Sequence, residues 1–184
     1  MKGNSKKVRL SKFESYVLYF FIYAFLGWAC ETLYAIYELG HFVKRGFLFG
    51  PICPIYGYGA IILLLFLRQY QKSSIKLFFV STIVFSALEY FVSFALEGAF
   101  KMYWWDYTHE FFNLNGRISI LFSFVWGIAA ILFINHIHPF IKKKLNKKMI
   151  KKIPIVIQST IIKVLSVIYI VDTVLSCIAH ATVV

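Results

Sequence analysis

Five stretches of this chain stay apolar long enough to be read as helices crossing a bilayer, at positions 13–37, 55–67, 77–96, 118–137 and 153–179. A crossing helix needs about 20 mainly apolar residues, because a rise of about 1.5 Å per residue must cover about 30 Å of hydrocarbon. The second stretch falls short and is expected to borrow residues from Pro51–Pro54 just before it. Polar positions inside the stretches recur at helical spacing. In the third, Thr82, Ser86, Glu89, Ser93 and Glu97 lie three or four residues apart and make one stripe. The first repeats the idea with Tyr16, Tyr23, Gly27, Glu31, Tyr34 and Glu38, and the fourth offers Ser119, Ser123, Gly127 and Ala130. Small residues of that kind let membrane helices approach closely. The three stripes are expected to face one another. The predicted fold is all-α: a polytopic membrane helix bundle of about five transmembrane helices, with a basic N-terminal segment 1–12 and a single transmembrane domain 13–184.

Composition agrees, since 60% hydrophobic and 20% aromatic residues exclude an ordinary soluble domain. The chain carries 20 Lys and Arg against 8 Asp and Glu, a formal charge of +12. That charge is unevenly placed. Fifteen of the basic residues fall in the first, third and fifth gaps around the stretches, four in the second and fourth, and Lys163 lies inside the last stretch. The positive-inside rule then puts the N-terminus in the cytoplasm and the C-terminus outside, and no nucleic-acid partner is needed to explain the charge. The Lys-rich segment 138–152 reads as a topology determinant that also touches anionic headgroups. The first stretch is too long for a signal sequence and lacks a small-x-small cleavage site, so it reads as a retained anchor. Cys30, Cys53 and Cys177 show no CxxC spacing, and an odd count argues against a disulfide framework. Cys30 and Cys177 are expected to be small buried hydrophobes.

The acids carry the most information. Glu31, Glu89 and Asp172 interrupt apolar runs, while Glu38, Glu97 and Asp106 lie at or just beyond helix ends. A charge kept in hydrocarbon usually has a partner or a job. On the predicted topology Glu31, Glu89 and Glu97 fall in the outer half of their helices, with Arg45 and Arg117 at the outer boundary. Two readings stay open: an Arg–Glu network that holds the helices together, or a site for a ligand, proton or ion. Lys163 and Asp172 are nine residues apart, on opposite sides of a helix, so Lys163 is expected to snorkel or to meet another helix.

Two outer loops add candidates. Segment 46–59, GFLFGPICPIYGYG, bends at Gly46, Gly50, Gly57 and Gly59 and loses N–H donors at Pro51 and Pro54. It is either a re-entrant element beside a site or an ordinary outer turn. Segment 97–117 gathers Tyr103, Trp104, Trp105 and Tyr107 around Asp106. Such aromatics anchor proteins at the bilayer interface, or make a wall for a cationic or ring-bearing ligand. The five histidines show no zinc-ligand spacing, no metal or cofactor is expected, and the phosphate-binding GxxxxGK[ST] pattern is absent. No Ser/His/Asp or Cys/His signature marks a nucleophile, so an enzymatic role is not the expected one, although a Cys53-centred enzyme stays open.

Several longer motifs occur together: GWxxE (Gly27 to Glu31), RGFLxGPxCPIYGxG (Arg45 to Gly59), EY (Glu89, Tyr90), ExxF (Glu97, Phe100), WDY (Trp105 to Tyr107), FNxxGRI (Phe112 to Ile118) and SxxWG (Ser123 to Gly127). In these the chain resembles the ABC-transporter type IV family of bacterial permease-like membrane proteins, over roughly residues 15–130. The resemblance implies a multi-pass protein of the bacterial plasma membrane with a role in transport, lacking its own ATPase and paired with a separate ATPase subunit. The expected site is an outward-facing cavity for a small-molecule substrate, lined by Glu31, Arg45, Glu89, Glu97, Asp106 and Arg117. Cys53 and Tyr56 of the Gly/Pro loop shape one wall, Trp104, Trp105 and Tyr107 cap it, and Asn115 of the FNxxGRI motif joins them. The alternatives are an accessory membrane protein with a structural ion-pair core, and an intramembrane enzyme acting on lipid or envelope substrates with Glu89 or Asp106 as general base.

Overall fold

Each helix begins and ends where its local chemistry directs. The computed structural model describes residues 10–145 and 153–182; the basic residues read at 1–9 and 146–152 lie outside the described residues. Helix α1 (Lys12–Leu39) opens on a capping box, in which the Glu14 N–H donates to Ser11 Oγ (3.1 Å) and the Ser11 N–H donates to the Glu14 carboxylate (2.9 Å). It closes at Gly40, whose φ of +73° turns the chain so that its N–H reaches the Ile36 carbonyl. Helix α2 (Pro54–Ile62) starts with proline at its first position, where the missing donor costs nothing. It continues through a π turn (Leu63–Leu67) and a 3-10 turn (Arg68–Tyr70). Helix α3 (Ser74–Phe100) is capped by Ser73. A loop follows that carries a short antiparallel pair, β1 (Asn113–Leu114) and β2 (Ile118–Ser119). Helix α4 (Ile120–Leu132) runs through a π turn (Phe133–Ile137) into α5 (His138–Leu145), and α6 (Ile155–Ala181) completes the described chain.

All five apolar stretches are mainly helical, but among the described residues four helices, not five, are long and apolar enough to cross a membrane: α1, α3, the α4–α5 rod and α6. The second stretch is nine residues of α-helix followed by a wider π turn, because the Gly/Pro segment before it does not become helix.

Glycines set the closest helix approaches. Gly27 of α1 faces Tyr56 of α2, and a Cβ on Gly57 would stand 2.5 Å from Phe20 Cδ2. Gly127 of α4 lies against Thr82 and Phe78 of α3, and the Ser86 and Ser123 hydroxyls meet at 2.7 Å. The stripes of α3 and α4 therefore do face each other, whereas the α1 stripe packs on α2 through Tyr23, Gly27 and Glu31, and Tyr34 and Glu38 stay exposed. Leu63, Leu67, Leu77, Phe85, Ala130 and Ile134 form the core among α2, α3 and α4.

Most other large apolar side chains point outward, Phe91, Phe94, Val167 and Ile170 among them. So large an apolar exterior suits hydrocarbon, not water. The same reasoning corrects the reading of two cysteines. Cys30 is exposed and Cys177 only half-buried, since an apolar residue in a membrane helix can face lipid and need not face protein. Lys163 is exposed on α6. Helix α6 lies alongside α1, with Ser159 donating to Glu14 near their starts and Tyr169 resting on Phe20 and Phe21. Lys12 and Ala181 consequently stand at opposite ends of the bundle.

Candidate functional site

The loop after α1 turns into the bundle. Its descent can be followed by its contacts. The Phe47 carbonyl meets His180 Nε2 (3.1 Å) near the end of α6. The amides of Phe49 and Gly50 donate to Oδ1 and Oδ2 of Asp172 (both 2.9 Å), eight residues or about 12 Å further down that helix. The Cys53 N–H then donates to the Ala24 carbonyl (3.0 Å), near the middle of α1. Leu48 and Cys53 are buried on the way. Backbone outside a helix must find hydrogen-bond partners at such depth, and Asp172 provides two. Gly46, at φ +86°, passes so close that a Cβ there would stand 2.8 Å from Cys53 Sγ.

This path delivers the start of α2 to the polar side of α1. Tyr56 donates its hydroxyl hydrogen to Glu31 Oε1 (2.6 Å), and the Cys53 thiol points at Glu31 Oε2 (3.7 Å). Opposite them, Glu89 is only 5% exposed and accepts from the Tyr107 hydroxyl and from Trp126 Nε1, each at 3.0 Å. The rings of Tyr56 and Trp126 lie 6.2 Å apart and join the two halves. Tyr107 stacks on Phe122, with centroids 4.6 Å apart. Burial, then the nearby Glu89 and Glu31 carboxylates, push its ionisation above the usual tyrosine range, so its hydroxyl stays a donor. Five of the residues singled out in the sequence thus converge: Glu31, Cys53, Tyr56, Glu89 and Tyr107. The donors that hold the two carboxylates are neutral.

The other candidates sort into separate groups. Glu97 pairs with Arg117, among the described residues the one ion pair, and also accepts from Tyr103 (2.7 Å). Arg117 lies over the rings of Tyr90 and Phe94, Asn115 donates to the Tyr90 hydroxyl (2.9 Å), and Trp105 donates to the Arg117 carbonyl (3.0 Å). Trp104 packs with Phe47, Phe100 and His180. Asp106 is exposed and caps a turn by accepting from the Thr108 N–H (2.8 Å), which holds its carboxyl below the usual range. Arg45 is half-buried, and its Nε has no hydrogen-bond partner. Trp126 and Asp172 complete the arrangement without having been selected as site residues. Each carried a legible mark, Trp126 as the tryptophan of SxxWG and Asp172 as an acid inside an apolar run.

No curated protein and no solved structure matches the chain. A family model described as "Putative ABC-transporter type IV" matches residues 18–177, and the chain belongs to that family.

Proposed function

We propose that this chain is a permease-like transport subunit whose polar cluster at Glu31, Cys53, Tyr56, Glu89, Tyr107 and Trp126 binds a small cationic or proton-donating substrate. Membership of the family supports a transport role, with ATP hydrolysis supplied by a separate subunit. The observation that carries the substrate class is the pairing of Glu31 and Glu89 with neutral donors. An ionised carboxylate away from water costs several kcal/mol unless a positive charge answers it. A proton or an ammonium group completes the cluster, and Tyr56, Tyr107 and Trp126 offer ring faces to a cation. Binding there favours one helix arrangement over another, as alternating access requires.

The topology belongs to the same reading: N-terminus cytoplasmic, C-terminus outside, five crossings of a bacterial plasma membrane. The second crossing is composite, with the descending segment covering the outer half and α2 the inner half. The cluster then opens toward the outside beneath the 97–117 loop. The test is uptake of labelled organic amines by cells that produce the chain with its ATPase. Glu31→Gln and Glu89→Gln are expected to abolish uptake while the purified variants melt near wild type. Uptake unaffected by both substitutions rules the site out.

A second reading, an accessory protein with a structural polar core, draws on the Glu97–Arg117 pair and on the fully bonded state of Glu89. It predicts that Gln at positions 31 and 89 changes no ligand response.

A further inference from the structure

Helix α6 is lightly packed, with Ile162 and Ser176 its buried residues. Its polar side chains are nevertheless not scattered. Asp172, Ser176 and His180 recur every four residues and so share one face. Each of the three touches the descending segment. His180 meets the Phe47 carbonyl, Ser176 Oγ accepts from the Phe49 N–H (3.2 Å) and donates to Asp172 Oδ1 (3.2 Å), and Asp172 takes the Phe49 and Gly50 amides. The far end of the same segment is Cys53, seated against α1 by its N–H and against Glu31 by its thiol. One short length of chain therefore joins α6 to the carboxylate cluster.

We infer that Asp172 is a positioning residue: its carboxylate latches the descending segment to α6 and so keeps that segment closed over Cys53 and Glu31. Two backbone amides outside any helix and turned toward α6 need an acceptor, and the carboxylate supplies one oxygen to each. Gly50 leaves the carboxylate its place, because a Cβ there would stand 2.9 Å from Asp172 Oδ2 and the side chain would have to shift. When the latch opens, the segment loses its hold on α6 and the cluster gains access to the outer solution. The gating consequence rests on the reading of the cluster as a substrate site; the latch itself does not.

Cys53, 3% exposed, reports the state of the latch. With Cys30 and Cys177 replaced by Ala, the rate at which N-ethylmaleimide labels Cys53 is measured in nanodisc-embedded full-length protein. Local opening governs that rate, so Asp172→Ala is expected to raise it about tenfold or more. Asp172→Asn, which keeps one acceptor oxygen, is expected to fall in between. Gly50→Ala pushes the carboxylate aside without removing it and is expected to raise the rate as well; it decides the matter if Asp172→Ala fails to accumulate as folded protein. Melting temperature on the same samples separates local opening from unfolding. An unchanged Cys53 rate in a folded Asp172→Ala or Gly50→Ala protein overturns the latch. If the rates rise but no amine shifts the melting of wild type, the latch stands and the substrate reading falls.

Discussion

Replacing Glu89 distinguishes neutral-donor burial from a hidden ion pair. Its two oxygens accept from Tyr107 and Trp126 at 3.0 Å each. Glu89→Gln keeps the shape and can keep both bonds. The carboxamide oxygen accepts from Trp126, which can only donate, and the amide NH2 donates to Tyr107, whose hydroxyl rotates to accept. The loss is then the difference between charged and neutral hydrogen bonds, about 1 kcal/mol each, and relief from burying a charge offsets it. A net change within about 1 kcal/mol is expected. Glu89→Ala removes both acceptors and leaves two half-buried donors unpaired, at about 1–3 kcal/mol apiece, with a cavity added. Thermal and denaturant unfolding in nanodiscs should therefore place Gln near wild type and Ala roughly 2–6 kcal/mol below it. Should Gln prove as damaging as Ala, Glu89 has a buried cationic partner and the substrate argument built on neutral donors collapses.

Further expectations concern packing, the outer loop and topology. Gly57→Ala sets a Cβ 2.5 Å from Phe20 Cδ2 and 2.9 Å from its carbonyl oxygen, so α1 and α2 must separate; a loss of about 1–3 kcal/mol is expected by denaturant unfolding. Asp106→Asn keeps an oxygen for the Thr108 N–H on an exposed turn, and its amine response and melting should match wild type. Tyr107→Phe takes a donor from Glu89 but leaves the ring on Phe122, so amine affinity should change more than fold stability, as read by melting with and without ligand. In cells lacking the native cysteines, His109→Cys should react with an impermeant thiol reagent while Asn146→Cys resists it; the reverse pattern inverts the topology.

The long helices were legible because hydrocarbon demands one thing, a sustained apolar run, and the run fixes length directly. The α3–α4 contact was legible too, since Ser86, Glu89, Ser123 and Gly127 keep helical spacing on two helices that share a face. The partner of the α1 stripe was not. Spacing tells which side of a helix is polar but not which helix meets it, and α2, the least helix-like stretch, stands there. The Arg–Glu pairing was half legible: Arg117 pairs with Glu97, while Glu31 and Glu89 use tyrosine, thiol and indole donors that carry no charge pattern to read. Within residues 103–107, Trp105 and Tyr107 turn toward partners in the bundle while Tyr103 and Asp106 stay exposed, an arrangement that follows from loop hydrogen bonds with no period. Asp172 was visible as an acid inside an apolar run, but its loop partners are backbone amides, which look the same at every residue.

The central claim is that Glu31 and Glu89 together await a positive charge. Its most direct measurement is the melting temperature of nanodisc-embedded protein across a panel of primary and quaternary ammonium compounds, neutral isosteres and carboxylates. A ligand at 100 times its Kd adds about 2.7 kcal/mol. At least one ammonium compound is expected to raise the melting temperature of wild type by several degrees, with neutral isosteres and carboxylates silent, and the Glu31→Gln/Glu89→Gln double variant is expected to lose that shift. No response to any ammonium compound, or an equal shift in the double variant, contradicts the account.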